Sequence, residues 1–391
     1  MSRINNQRAV VCLLLGRLIY AVNFFNLAAI FTLIALDMHQ NVSGLGIVVG
    51  SFYLGLAAFQ IPGGLLAAKI GPKKTAIYGT LLASVAALMV SLSTAFGEII
   101  LLRFLVGAGM AFVFAPAVIL MAKYFREHAE GFSVGLYNAT FYLGGALGIF
   151  GWAVLANAWG WRESLAISGS VGIVSAALML WLVPRDSIRN DFAMEPLEIR
   201  KVLSNKLLFL YGLGTLGVNG FSSIITAFTV YYLQNSLNAT ALLAGSVGAL
   251  ALIASLLSSL LFGKLHDRIR NPAWLLFACG LIGVVGVEFA AFTSVSSTVI
   301  ANVIVGFATG GGLTVGFSAA REQAKGEYEP LAVSYLNTSQ VIAGFFFPPL
   351  FSATVLSLGY SSAWTLSGLY VFPFISAVLL SKVKRFSSQA E

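Results

Sequence analysis

Three ionisable side chains lie inside long apolar stretches of this chain: Arg17, Arg103 and Glu288. A charge at the centre of a bilayer costs about 2.5–3.5 kcal/mol on insertion scales, so a functional role is expected for each. The guanidinium group is planar and permanently cationic, and it binds a carboxylate or phosphate through two parallel hydrogen bonds. The acids nearest in sequence, Asp37 and Glu98, lie at the ends of their apolar stretches. The arginine pair therefore predicts a site for an anion.

Neutral polar side chains in the same stretches are candidates to orient the rest of a substrate. Tyr20 and Asn23 follow Arg17 at intervals of three residues, whereas Asn26 has turned to the opposite face at about 100° per residue. A later stretch carries a polar stripe along one helix face, made of Tyr211, Thr215, Asn219, Ser222 and Thr226. The other candidates are Tyr137, Asn138, Asn337 and Gln340.

Each of these side chains also has an alternative role without a substrate. Arg17 lies about 12 Å from the end of its helix at about 1.5 Å per residue, so its side chain can extend towards the lipid headgroups. Polar stripes also hold membrane helices together. Glu288, the candidate for proton coupling, is equally interpreted as a glutamate at the lipid interface.

The elements that position these residues are predicted from composition. The chain has 391 residues, of which 58% are hydrophobic and 10% charged. A helix of about 20 apolar residues spans the roughly 30 Å hydrocarbon layer, and backbone groups in lipid must be satisfied within the helix. Twelve runs fit this length: 9–36, 44–67, 74–95, 97–120, 131–156, 163–184, 207–233, 240–262, 272–293, 297–320, 331–357 and 361–381.

The basic residues are distributed unevenly among the connectors. Alternate connectors and the two termini carry 20 of the 23 lysines and arginines. Cytoplasmic loops carry such an excess, so we predict a multi-pass plasma-membrane protein with both termini in the cytoplasm. The net charge of +8 comes from these short connectors, and nucleic acid is therefore not expected as a partner. The first run lacks the pattern of a cleavable signal peptide.

An internal repeat divides the chain in two. An offset of 199 residues relates Gly64 to Gly263, Gly107 to Gly306, and Asn138 to Asn337 without a gap. Parallel repeats of this size are typical of transporters. We predict an N-terminal six-helix bundle at 1–184, a cytoplasmic linker at 185–206 and a C-terminal six-helix bundle at 207–391. Within the linker, 196–203 begins with proline and is either a short interfacial helix or a solvated segment.

The junction between the second and third runs carries a motif. Gly64, Ala67, Gly71 and Lys73 match the loop Gly-x-Leu-Ala-Asp-Arg-x-Gly-Arg-Lys, while Ala68 stands where the aspartate is expected. On this motif, the repeat and the topology, the chain resembles a twelve-helix member of the major facilitator superfamily, with some likeness to its organic-anion carriers. The resemblance covers essentially the whole chain. It implies an all-α integral membrane protein with two pseudo-symmetric six-helix bundles.

The resemblance also implies roles for individual residues. Spans 1, 4, 7 and 10 of such a protein line a central cavity, which places Arg17 and Arg103 at the substrate. The counterpart of Arg103 in relatives often braces neighbouring helix backbones, which is the alternative for this residue. The loop motif and its second-half copy act in gating, and here they supply Gly64, Lys69, Gly71, Asp267 and Arg268.

These observations predict a secondary transporter, active or facilitative, that carries a small organic anion, with a carboxylate preferred, by alternating access. Symport with a proton and antiport with a counter-anion are both compatible with the sequence. The alternatives are a drug or metabolite exporter and a neutral-solute carrier of the same fold. No nucleotide loop, metal cluster or nucleophile with a base is recognisable, so an enzyme is not predicted and no cofactor is expected. We expect a monomer in the lipid bilayer.

Overall fold

The computed structural model describes residues 3–124, 130–184, 196–324 and 329–381. Within these ranges, the side chains of 3–5, 68, 115, 118–119, 122–123, 130–135, 196–199 and 329–330 are not described. All the regular elements in the described part are α-helices: α1 (Arg3–Phe24), α2 (Asn26–Asp37), α3 (Val42–Ile70), α4 (Pro72–Ser91), α5 (Phe96–Tyr124), α6 (Glu130–Trp159), α7 (Trp161–Leu182), α8 (Pro196–Leu203), α9 (Lys206–Ser236), α10 (Ala241–Ile269), α11 (Pro272–Ala290), α12 (Val295–Glu322) and α13 (Glu329–Ala377).

These helices form twelve membrane spans. Span 1 consists of α1 and α2, which are separated at Phe25, and α3 to α7 are spans 2 to 6. Spans 7 to 10 are α9 to α12. The 49 residues of α13 contain Gly359 in a non-helical conformation with φ 80°. A straight helix of that length would measure about 74 Å, more than twice the hydrocarbon layer, so α13 supplies spans 11 and 12. The prediction of twelve spans is confirmed.

The repeat of 199 residues extends to the helix ends. Moving α3 by this offset gives 241–269, the bounds of α10. Backbone turns with positive φ repeat too, at His39 (50°) and Asn238 (52°) and at Gly160 (96°) and Gly359 (80°). Left-handed conformations are rare outside glycine, so their recurrence at one spacing indicates that both halves use the same turns.

Local sequence explains where several helices start. Gly71 ends α3 at φ 95°, with its N–H bonded to the Ala67 carbonyl, and Pro72 then starts α4. Pro272 starts α11 in the same way, after Asn271, whose side chain accepts from the Trp274 N–H. Proline suits the first helical position because it has no N–H to leave unpaired.

The chain forms two compact units. Unit 1 contains Met1–Phe192 and Thr240–Ala249, and unit 2 contains Ala193–Ala239 and Leu250–Glu391. Residues 196–203 of the predicted linker form a short helix, α8. Residues 185–195 of the linker lie outside the described residues. The boundaries predicted at 184 and 207 stay predictions.

Equivalent glycines allow close helix packing in each unit. In unit 1, a methyl group on Gly107 of α5 would overlap the Phe52 carbonyl oxygen of α3. In unit 2, a methyl group on Gly306 of α12 would overlap the Ala251 carbonyl oxygen of α10. Close backbone approach through small residues is a main source of helix association in membranes. Gly107 and Gly306, one of the repeated pairs noted in the sequence, are thus packing residues.

Candidate functional site

The side chain of Arg17 is surrounded by aromatic rings in unit 1. Its guanidinium carbon lies 4.4 Å from the ring centroid of Phe141, 4.6 Å from Tyr137, 4.9 Å from Tyr20 and 5.1 Å from Phe114. We call these four residues the aromatic cage. The rings come from α1, α5 and α6, so three spans position one cation. Each cation–π contact contributes about 0.5–2 kcal/mol, more when water is excluded.

The four residues of the cage supply no counter-charge to Arg17. The residue is 5% exposed, and its Nε has no hydrogen-bond partner. Among the described residues, no acidic side chain forms an ion pair with Arg17 or Arg103. Tyr20 and Tyr137 bond other donors of the Arg17 side chain. A buried charge with an unsatisfied donor is costly. A guanidinium in such surroundings can bind an anion.

Arg103 is engaged by neighbouring side chains. Its Nη1 donates to Asn26 Oδ1 at 3.2 Å, its guanidinium carbon lies 4.5 Å from the Phe52 centroid, and its Nε has no partner. Asn26 Nδ2 donates in turn to Ser168 Oγ at 2.8 Å, and Ser168 Oγ donates to Asn23 Oδ1 at 2.8 Å. Arg103 therefore belongs to a buried network that joins span 4 to spans 1 and 6.

A small cavity with a mixed, mainly apolar lining adjoins this network. Its volume is about 30 Å³, and its lining includes Tyr20, Asn23, Asn26, Ser84 and Ser175. A space of this size holds about two water molecules. Tyr20 thus lines the cavity and is also a member of the aromatic cage. The side chain of Asn23 accepts a hydrogen bond from Ser168.

The amide side chains predicted in the second half form a cluster in unit 2. Asn219 Nδ2 donates to the Gln340 carbonyl at 2.8 Å, and Gln340 Nε2 donates to Asn337 Oδ1 at 2.6 Å. Gln340 Oε1 is buried without a partner, so the cluster offers a free acceptor. Tyr211 packs in the core of unit 2. In unit 1, Asn138 is half-buried beside Tyr137 of the cage.

The predicted gating residues of unit 1 are mostly exposed. Gly64 has no atom within 4 Å of an added methyl group, and Lys69 is exposed in the last turn of α3. Gly71 makes the turn into α4. Lys73 differs, because it is 7% exposed and its Nζ donates to the Leu180 carbonyl at 2.8 Å.

In unit 2, the corresponding turn contains a buried histidine. Asp267 and Arg268 are exposed at the end of α10. His266 is 4% exposed, with Nδ1 4.0 Å from Asp267 Oδ1 and Nε2 3.6 Å from Glu322 Oε1. Glu288 is half-buried at the end of α11, where its Oε2 accepts from the Thr365 hydroxyl at 3.1 Å. That bond joins spans 9 and 12.

Sequence reasoning missed three residues of the unit 1 site: Phe114, Phe141 and Ser168. Phe141 lies four residues after Tyr137, a spacing that places both side chains on one helix face. This spacing is the signal from which Phe141 could have been found. Ser168 appeared in the sequence as half of a repeated Ser-Gly pair, without any sign of its bonding. Its partners lie more than 140 positions away and are revealed by the fold alone.

The fold and these sites define a multi-pass helical membrane protein in which no described acidic side chain pairs with the buried Arg17. A family model described as "Major Facilitator Superfamily" matches residues 13–228 and 207–390. The chain belongs to the major facilitator superfamily, and both its family and its structural neighbours are transporters.

Among the proteins similar to this chain are three curated relatives from other organisms. A probable sulfoacetate transporter of Cupriavidus necator is 31% identical over 42% of this chain and 38% of its own length. A probable galactarate/D-glucarate transporter of Escherichia coli K12 is 26% identical over 48% and 44%. An agnestins efflux protein of Paecilomyces divaricatus is 26% identical over 82% and 74%.

A solved structure shows the fold. A bacterial homologue of the human lysosomal transporter Spinster, in an inward-facing and unoccupied conformation, superposes with a TM-score of 0.79 at 16% identity. The match covers 97% of this chain and 96% of that structure. In contrast, the match to the sulfoacetate transporter spans well under half of that protein.

Proposed function

We propose that this protein transports a small organic anion across the membrane by alternating access, with a carboxylate or another acidic group bound at Arg17. The observation that carries the proposal is the aromatic cage: it holds a buried guanidinium in place without supplying a counter-charge. Arginine also forms two parallel hydrogen bonds to a carboxylate. The similarity to transporters named for sulfoacetate and for galactarate and D-glucarate supports an acidic substrate.

In this proposal, Arg103 adds positive potential near the site, and Tyr20 and Asn138 orient the substrate. The sequence also predicts substrate contacts for Tyr211 and for the amide cluster of unit 2 (Asn219, Asn337 and Gln340). The gating role of Gly64, Lys69, Gly71, Asp267 and Arg268 belongs to the same proposal. We also propose that the protein is a monomer in the plasma membrane, with both termini in the cytoplasm.

The test is binding and uptake with purified protein. Organic anions, including sulfoacetate and galactarate, are compared with neutral sugars by thermal shift, since a ligand of the folded state raises its apparent stability. The Arg17→Gln variant is expected to lose the shift and the uptake into proteoliposomes, while Arg17→Lys retains part of both. The matched control is Arg162→Gln, because Arg162 is half-exposed and already paired with Asp37 at 3.0 Å. Normal uptake by Arg17→Gln would overturn the assignment.

A second candidate is an exporter, supported by similarity to the agnestins efflux protein over 82% of this chain. The same assay separates the two directions if the substrate is placed first outside and then inside the vesicles. A neutral-solute carrier, the remaining alternative, is supported by the amide cluster of unit 2. A neutral-solute carrier would show a thermal shift with neutral sugars, and the Arg17→Gln variant would show the same shift.

A further inference from the structure

Span 1 is interrupted where its counterpart in the second half is continuous. The helix α1 ends at Phe24 and α2 begins at Asn26, with Phe25 between them at φ −100° and ψ 4°. At the offset of 199 residues, α9 runs unbroken from Lys206 to Ser236. A break removes backbone hydrogen bonds across it, and bending there costs correspondingly little. Other contacts must therefore hold the two segments in register.

A serine on α7 bonds both sides of the break. Ser168 Oγ donates to Asn23 Oδ1 at 2.8 Å, on the α1 side of the break, and accepts from Asn26 Nδ2 at 2.8 Å, on the α2 side. The Ser168 carbonyl also accepts from Asn23 Nδ2 at 3.1 Å. Ser168 is fully buried.

Two further helices contact the break. From α5, Arg103 donates to Asn26 Oδ1, the same oxygen that accepts the Leu27 N–H at 2.6 Å. From α6, the Trp152 indole N–H donates to the Val22 carbonyl at 2.8 Å, one turn before the break. The Asn26 side chain is thus bound by both Arg103 and Ser168. In the described part of the chain, the Asn23 side chain bonds Ser168 only.

The second half lacks this arrangement and lacks the break. The positions equivalent to Asn23 and Asn26 are Ser222 and Ile225, and the position equivalent to Arg103 is Asn302. Ser367, the equivalent of Ser168, donates to the Trp364 carbonyl of its own helix at 2.6 Å. The serine is present in both halves, but only the first half uses it between helices.

We infer that Ser168 is a positioning residue that latches a hinge at Phe25. When Asn23 leaves Ser168, α1 tilts relative to α2 and α7. Because α1 carries Arg17 and Tyr20, this tilt opens or closes the aromatic cage against α5 and α6. The hinge stands on the geometry alone; its effect on substrate rests on the proposed function.

The hinge is tested by a distance measurement without substrate. Spin labels are attached at Val11 of α1 and Trp181 of α7, which are 56% and 84% exposed, after Cys12 and Cys279 are replaced by alanine. The protein without a further substitution is expected to give one distance. Ser168→Ala is expected to give a second, shifted distance population. An unchanged distribution in Ser168→Ala would overturn the hinge.

Matched variants separate the latch from general destabilisation. Ser164→Ala removes a fully buried hydroxyl four residues earlier in α7, one that bonds only its own helix at 2.8 Å. Ser367→Ala removes the equivalent hydroxyl of the second half. Both are expected to keep the single distance, and a second population in either would contradict a latch at Ser168. Asn23→Ser introduces the residue found at the equivalent position, Ser222, and should show the second distance even if Ser168→Ala does not fold.

Transport then tests the link to substrate. Ser168→Ala and Asn23→Ser are expected to slow transport of the organic-anion probe by a larger factor than they raise its Kd, because the cage no longer moves together with α7. A proportional loss of binding and transport would assign the network a purely structural role. If the parent protein binds no organic anion while the second distance is observed, the proposed function fails and the hinge stands.

Discussion

Lys73 Nζ lies 2.8 Å from the carbonyl oxygen of Leu180 and also donates to the carbonyl of Val183. A lysine from the junction of spans 2 and 3 therefore caps the C-terminal end of α7. The last carbonyl groups of a helix have no partner within it, and a cation there also interacts favourably with the helix dipole. The basic loop motif thus has a structural use in unit 1 that its sequence alone did not reveal.

Replacing Lys73 with methionine is expected to destabilise the protein. The variant keeps the aliphatic part of the side chain but leaves buried carbonyl oxygens without their charged donor, at a cost of about 1–3 kcal/mol. The measurement is thermal unfolding in detergent, with Lys74→Met as the matched control because the neighbouring lysine is exposed. Equal midpoints for the two variants would mean that the cap contributes nothing measurable.

The paired glycines of the repeat give a second prediction. Gly107→Ala and Gly306→Ala each place a methyl group against a carbonyl oxygen of the adjacent helix, so both should lose folded protein by a similar amount. The control is Gly64→Ala, where an added methyl group meets nothing within 4 Å. The readout is the monodisperse fraction on size-exclusion chromatography. Tolerance of Gly306→Ala but not of Gly107→Ala would show that the two halves pack differently.

The architecture was predictable because the length of each apolar run and the residues that recur at a fixed offset can be read directly from the sequence. Twelve apolar runs give twelve spans, and an offset of 199 residues in sequence becomes an offset of 199 residues in helix ends. The bounds shift by several residues where caps decide them, as at Asn205, whose side chain accepts from the N–H groups of Leu207 and Leu208 and starts α9.

The break in span 1 was not predictable from local sequence. Phe24, Phe25 and Asn26 include neither proline nor glycine, the residues that usually interrupt a helix. The break accompanies hydrogen bonds from other helices, with partners more than 70 positions away. For the same reason, sequence reasoning identified Arg103 and Asn23 as polar residues of span 4 and span 1 but not their mutual network.

Glu288 is expected to be dispensable for proton coupling. Its Oε2 accepts a hydrogen bond from Thr365, and glutamine retains an acceptor oxygen at that position. Glu288→Gln should therefore leave the dependence of uptake on the proton gradient unchanged in proteoliposomes. The companion variant Thr365→Val tests the bond between spans 9 and 12 and should lower thermal stability. Loss of proton-driven uptake in Glu288→Gln alone would instead identify Glu288 as the coupling group.

The last prediction concerns the aromatic cage. Phe141 is the ring nearest to the guanidinium of Arg17, at 4.4 Å, and leucine at this position keeps an apolar side chain but removes the ring face. A lost cation–π contact of about 0.5–2 kcal/mol lets the guanidinium leave its position, which should weaken binding of an organic anion about 2- to 30-fold. Phe141→Tyr keeps the ring and should restore affinity.

Phe104→Leu is the matched control for the cage, because Phe104 packs its ring 6.1 Å from Phe59 in the same unit and does not contact Arg17. Isothermal titration with the organic anion that gives the largest thermal shift measures all three variants. Equal losses in Phe141→Leu and Phe104→Leu would indicate general loosening of unit 1. A loss confined to Phe141→Leu, with recovery in Phe141→Tyr, would mean that the ring itself holds Arg17 in the position from which it binds the anion.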